Sequence, residues 1–175
     1  GDEEEAVHYM GNAAISMFGC GVCLCLICQI FLDPLVYFFG APENIAGYAK
    51  TYIRITSIGF PFLIMSSGGG HLIRADGSPK MSMICNLIGA IINTILDAMF
   101  VFGLHMGMAG AALATIIGQF ISGGIAIRYL CHCKTVTLKR SHLKPHKKYI
   151  SRIMSLGGAP CSNQLAMMIV QIVMN

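Results

Sequence analysis

The sequence predicts an all-α bundle of membrane-spanning helices, and three observations carry that prediction. Hydrophobic residues make up 55% of the chain and charged residues only 11%, with mean hydropathy +0.66, whereas soluble domains carry about 25% charged residues. The apolar residues gather into five uncharged or nearly uncharged runs, Ala13–Leu32, Ile55–Ile73, Met81–Phe102, Met106–Ile127 and Ile153–Asn175. Each is near the roughly 20 residues that a helix needs to cross hydrocarbon. None shows the short alternation of barrel strands, and lipid offers no partner to an exposed backbone group, so helices are the structure these runs can adopt.

The first span is expected over about residues 12–33, closed by Asp33-Pro34, with Gly40-Ala41-Pro42-Glu43 as the following turn. Its cysteines, Cys20, Cys23, Cys25 and Cys28, lie in hydrocarbon and pack as small hydrophobes rather than as cluster ligands. A second span over 52–73 carries Gly68-Gly69-Gly70 near its end, which predicts close helix packing, with a hinge as the other reading. Asp76-Gly77-Ser78-Pro79 then turns the chain, with Ser78 as N-cap and Pro79 in the first helical position. The third and fourth spans, 80–102 and 107–130, are joined by a short loop around His105. Residues 132–149 form a basic link, and 150–175 begin a further helix. A chain that starts at Gly1 and stops at Asn175 inside an apolar run is expected to be a piece of a longer protein.

Charge sets the orientation. Ten of the twelve Lys and Arg residues (Arg74, Lys80, Arg128, Lys134, Lys139, Arg140, Lys144, Lys147, Lys148 and Arg152) fall on one face, and only Lys50 and Arg54 lie near the other. The basic face is therefore expected in the cytoplasm, in a multi-pass protein of the plasma (cell inner) membrane. The net charge of +4 reflects this topology and membrane lipid, not nucleic acid. The eight cysteines indicate no disulfide framework. Cys131, Cys133, His142 and His146 form a rival metal site in the link, but Cys-x-Cys spacing, Pro145 between the histidines and the neighbouring lysines fit anionic headgroups better. His71 and His105 read as solvated interfacial residues.

The run 81–102 carries one charge, Asp97. Burying it at membrane depth costs about 2.5 kcal/mol or more, which chains accept mainly where ions or substrates pass. Asn86, Ala90, Asn93 and Asp97 recur at helical spacing and share one face. Counting back from His105 sets Asp97 level with Ala112 and Asn93 with Ile116, with Thr115 between. Gly107, Gly110, Ala111, Ala112 and Ala114 let the two backbones approach, so Asn93, Asp97 and Thr115 converge, with Asn86 and Gln119 as further polar lining. A carboxylate, an amide oxygen and a hydroxyl suit a hard cation, and the carboxylate alone suits a proton. The structural alternative is a clasp in which Asp97 only hydrogen-bonds Asn93 and a neighbouring helix. No nucleophile elbow, phosphate loop or His-Glu zinc motif is present, so an enzyme is not expected.

The segments Arg74-Ala75-Asp76-Gly77-Ser78-Pro79-Lys80, Asn93-Thr94-Ile95-Leu96-Asp97 and Gly107-Met108-Ala109-Gly110-Ala111-Ala112-Leu113-Ala114-Thr115, in this order and spacing, resemble the multidrug and toxic compound extrusion (MATE) family. Gly1-Asp2-Glu3-Glu4-Glu5-Ala6 looks like the loop before that family's third helix, and Gly157-Gly158-Ala159-Pro160 like the opening of its seventh. The resemblance implies a twelve-helix transporter of two six-helix lobes. Residues 1–131 would then belong to the amino-terminal lobe, 132–149 to the cytoplasmic inter-lobe link and 150–175 to the incomplete first helix of the carboxyl-terminal lobe. It also implies that Asp97, Asn93 and Thr115 bind a coupling H⁺ or Na⁺, with no other cofactor, and that organic cations or drug-like compounds leave by alternating access. An aspartate that the family places on its first helix would lie outside this chain, with the second helix and the other lobe. The rival is a lipid-linked oligosaccharide exporter of related architecture, whose cavity would carry several Arg or Lys; these spans are almost free of base.

Overall fold

Every regular element among the described residues, 2–38, 42–133 and 146–174 of the computed structural model, is a helix. Gly40 and Ala41 of the first turn, and Lys134, Lys139, Arg140, His142, Lys144 and Pro145 of the link, lie outside the described residues. The helices are α1 (Asp2–Ile30), α2 (Leu32–Phe38), α3 (Glu43–Ile58), α4 (Phe60–Ala75), α5 (Pro79–Ala98, continued by a π-helical turn Met99–Gly103), α6 (Gly107–Cys131) and α7 (Lys147–Met174).

Among the described residues, three stretches are single helices long and apolar enough to cross a membrane: Glu5–Ile30, Pro79–Gly103 and Gly107–Cys131. A fourth is formed by Lys147–Gly158 and Pro160–Gln171 if that pair, bent by 41°, is one span. The bend sits at Pro160, inside α7, because proline removes a backbone donor and crowds the preceding turn. Gly157–Pro160 thus lies in mid-helix, and α7 begins at Lys147, ahead of the expected start.

The run 52–73 is divided. Pro61 has no N–H to give the Ser57 carbonyl, so the helix breaks at Gly59 into two 16-residue pieces, α3 and α4. Gln29 of α1 braces the end of α3, its Nε2 donating to the Arg54 carbonyl (2.7 Å) and to Ser57 Oγ (2.9 Å). Asp33-Pro34 does not close the first helical stretch as expected. Phe31 and Leu35 keep helical hydrogen bonds to Ile27 and Phe31, and Pro34 sits in the first turn of α2, where no N–H is required. Lys50 pairs with Asp33 at 2.6 Å, joining α2 to α3, and that ammonium holds the Asp33 carboxyl below its usual range.

The α4–α5 turn follows from local chemistry. Gly77 adopts φ +76°, a conformation glycine takes without a Cβ penalty. Its N–H donates to the Arg74 carbonyl and the Ser78 N–H to the Ile73 carbonyl, both at 3.1 Å, the paired bonds of a Schellman cap. Pro79 opens α5 as expected, but the Ser78 hydroxyl makes no capping bond.

Of the three spans that are single helices, α6 is the most enclosed, with 44% of its most apolar stretch buried against 6% in α1 and 11% in α5. It packs on α3, α4 and α5, and α4 packs in turn on α1 and α5. The core around Met65, Ile73, Cys85, Ala126 and Leu130 fills the junction. The three glycines of α4 face three neighbours: Gly68 lies under Met17 of α1, Gly69 against Ala126 and Leu130 of α6, and Gly70 against Ser82 of α5. Successive residues point about 100° apart on a helix, so the triplet lets three helices approach one axis, and α4 runs through it unbroken. Close packing, not a hinge, explains it. Elsewhere the surface is apolar, with Leu26 54%, Ile95 60% and Phe102 76% exposed, as helices facing lipid require.

At the other end of α1, fully buried Asn12 accepts a 2.7 Å hydrogen bond at Oδ1 from the His146 N–H and donates from Nδ2 to the His8 carbonyl. Tyr149 stacks on His8 with ring centres 5.4 Å apart. These contacts dock the start of α7 on α1.

Candidate functional site

A cavity of about 240 Å³ lies between α4, α5 and α6 and takes in Asn86, Asn93, Thr115 and Gln119, four of the five residues singled out by sequence. Asn93 Nδ2 donates to Thr115 Oγ1 at 3.4 Å, and that hydroxyl donates to the Ala111 carbonyl at 2.9 Å. The antiparallel register inferred from the His105 loop therefore holds to about one residue, since Gly118 faces Asn93 and Gly89.

Asp97 lies one turn beyond Asn93 on the same helix and is half-buried. It does not line the cavity. Its Oδ1 is enclosed and has no hydrogen-bond partner among the described residues. The Asp97–Asn93 clasp is thus not what the structure holds. A buried acceptor without a partner is costly, and this one lies two residues before the π-helical turn that ends the helix, whose Leu104 N–H reaches back to the Met99 carbonyl at 3.0 Å.

Close approaches of α5 and α6 fall at Gly89 and Gly118 as well as at Gly110. A methyl group on Gly118 would lie 2.8 Å from the Gly89 carbonyl oxygen, and one on Gly89 would lie 2.7 Å from Ser122 Cβ. Gly110 packs under Phe100 of the π-helical turn that continues α5, and Ala112 and Ala114 are fully buried.

Ser66 of α4 and Ser122 of α6 belong to the same cavity and were not singled out by sequence. Ser66 Oγ donates to Asn86 Oδ1 at 3.2 Å and also meets Ser122 Oγ. Ser122 shares a face of α6 with Thr115 and Gln119, whereas Ser66 has only its neighbour Ser67 in α4, and the packing brings both to Asn86. Gln119 Oε1 is buried without a partner over the notch at Gly59, the break forced by Pro61. The cavity thus offers three amides, three hydroxyls and no Lys or Arg.

The rival metal grouping does not assemble from the residues described. His142 lies outside them, Cys131 is exposed and Cys133 is buried. Burial pushes the Cys133 thiol up to about 11, and the thiol donates to the Leu130 carbonyl at 3.3 Å; a protonated thiol is a poor metal ligand. His71 and His105 are both exposed. His105 adopts φ +53° in the loop before α6.

Comparison with known proteins places this geometry in a family. The chain is 32% identical over 152 residues to "Multidrug export protein MepA" of Staphylococcus haemolyticus, covering 86% of this chain and 34% of that protein. It is 28% identical over 138 residues to the proteins of the same name in Staphylococcus saprophyticus and Staphylococcus aureus, covering 78% of this chain and 31% of each. The chain therefore spans about a third of the length of these curated relatives. Its fold is similar to a solved structure described as the inward-facing conformation of a multidrug resistance MATE family transporter of the MOP superfamily. The TM-score is 0.70 at 20% identity, with 87% of this chain and 40% of that one covered. Residues 1–99 match the family described as MatE. This membrane-embedded helical chain belongs to the MatE family.

Proposed function

We propose that the full-length protein containing this chain is a secondary active exporter of the plasma membrane that expels organic cations or drug-like compounds in exchange for H⁺ or Na⁺. The observation that carries the reading is the enclosed, unpartnered Asp97 Oδ1 one turn from the Asn93–Thr115 pair. Family membership and the names of the relatives support export. Asp97 supplies the charge that a cation or proton neutralises, and Asn93 and Thr115 supply neutral oxygens of the kind Na⁺ prefers. Ion binding drives a conformational change only through unequal affinity for the two states. A carboxylate whose water is exchanged for protein oxygens in one state, and returned in the other, provides that inequality. Basic side chains are missing from the cavity lining, which favours neutral or cationic cargo over the pyrophosphate of a lipid-linked oligosaccharide.

The test is efflux of a fluorescent organic cation from vesicles holding the full-length protein, under H⁺ and Na⁺ gradients imposed separately. Gradient-driven export that is abolished in Asp97→Asn, with membrane insertion intact, is the expected result and names the ion; Thr115→Ala should weaken ion binding more mildly. Full efflux by Asp97→Asn removes the coupling role. No efflux under either gradient shifts the reading to the oligosaccharide exporter.

A further inference from the structure

On an exposed side of α5 and α6, away from the polar cavity, two hollows of about 290 and 410 Å³ share Met81. Arg128 and His132 border the first, and Lys80 borders the second. Their floors are apolar, formed by Ile125 in one and Ile84 in the other, with Met81 common to both. We infer that this furrow is a binding site for one anionic phospholipid, its phosphodiester held by Lys80 and Arg128 and an acyl chain laid along α5.

Four observations carry the assignment. The first is depth: Lys80 is the second residue of the span Pro79–Gly103, and Arg128 stands near the end of the span Gly107–Cys131. Both charges therefore sit where headgroups lie. The second is charge. Neither Lys80 nor Arg128 forms an ion pair with a carboxylate among the described residues. The nearby carboxylate of Asp76 is buried, accepts the Tyr129 hydroxyl at 2.9 Å and lines neither hollow. The third is the apolar track. Ile84, Ile91 and Ile95 are 43%, 49% and 60% exposed and share one face of α5 by their spacing. The fourth is the direction of that face. Each isoleucine precedes a member of the Asn86, Asn93, Asp97 stripe by two residues, about 200° round the helix, so the track lies on the face opposite the stripe and is open to an acyl chain. A basic pocket between helices on the positively charged side of a membrane suits an anionic headgroup, and a free phosphate ion would leave the track unused.

The experiment is native mass spectrometry of the purified full-length protein with phosphatidylglycerol or phosphatidylcholine. Wild type should retain phosphatidylglycerol preferentially, and Lys80→Gln/Arg128→Gln should weaken that retention by roughly thirtyfold, while Lys50→Gln/Arg54→Gln at the opposite end leaves it unchanged. Met81→Trp keeps both charges and fills the furrow, and it too should reduce retention. Equal phosphatidylglycerol retention in wild type and the Lys80/Arg128 variant overturns the site. So does unimpaired binding by Met81→Trp, or displacement of the lipid by inorganic phosphate, which would mean that the acyl chain contributes nothing.

Discussion

A buried oxygen left without a partner costs a folded protein about 1–3 kcal/mol, and more when it is charged; among the described residues Asp97 Oδ1 and Gln119 Oε1 bear that cost, which under the proposed function a bound ion or cargo would offset. The two cysteines after α6 make a sharper contrast. Cys131 is exposed, whereas burial, aided by the Asp76 charge, lifts the Cys133 thiol to about 11 from 9.0. Only the thiolate attacks a maleimide. At neutral pH a maleimide reagent applied to the full-length protein should therefore modify Cys131 and spare Cys133 until the protein is denatured; equal modification of both in the native state would contradict the burial. Because the folded chain holds that proton more tightly than the unfolded one, the stabilisation it brings is complete below about pH 9 and fades as the pH rises toward about 11. At this scale the sequence was informative wherever polar residues recur with a helical period. Asn86, Asn93 and Asp97 stood out on α5, and Thr115 followed from the length of the His105 loop. Ser122 continues the spacing of Thr115 and Gln119 on α6 and was legible from it, whereas Ser66 has no such period, and nothing short of the packing of α4 on its neighbours marks it.

Helix against helix, the decisive contacts are made by glycines. Gly118→Ala would push its methyl into the Gly89 carbonyl oxygen, 2.8 Å away, and into Asn93 Cβ, 3.0 Å away. Backbone cannot yield as a side chain does, so this change should destabilise the full-length protein by about 1–3 kcal/mol and weaken ion binding by parting Asn93 from Thr115. Gly19→Ala, with nothing within 4 Å of the added carbon, should leave both unchanged. Thermal unfolding in detergent and an ion-binding isotherm on the two variants would check the pair. Continuous apolarity announced helical structure over 55–73 but concealed the break at Gly59, because hydropathy is blind to a missing N–H, and Pro61 was the signal to weigh. In the same way Asp33-Pro34 looked like a stop, although proline in the first turn of a helix is no obstacle.

For the molecule as a whole, topology is the first thing to test. In a full-length variant lacking its native cysteines, Lys50→Cys should react with a membrane-impermeant maleimide on intact cells, and Arg128→Cys only after permeabilisation; the reverse pattern would invert the orientation drawn from Lys and Arg. The fold class was legible because composition and run length leave few alternatives, whereas the docking of α7 on α1 through buried Asn12 depends on residues 134 positions apart, and no local pattern reports it. The central place of α6 bears on how the chain is made. Its neighbours α3, α4 and α5 are synthesised before it, and at roughly 5–20 residues per second residues 99–131 take a few seconds to follow. In that interval α1 and α4 can already pair, but α3 and α5 wait in the bilayer without their main neighbour. A ribosome that stalls before Gly107 therefore leaves hydrophobic segments inserted yet unassembled, the kind of intermediate that membrane quality control removes.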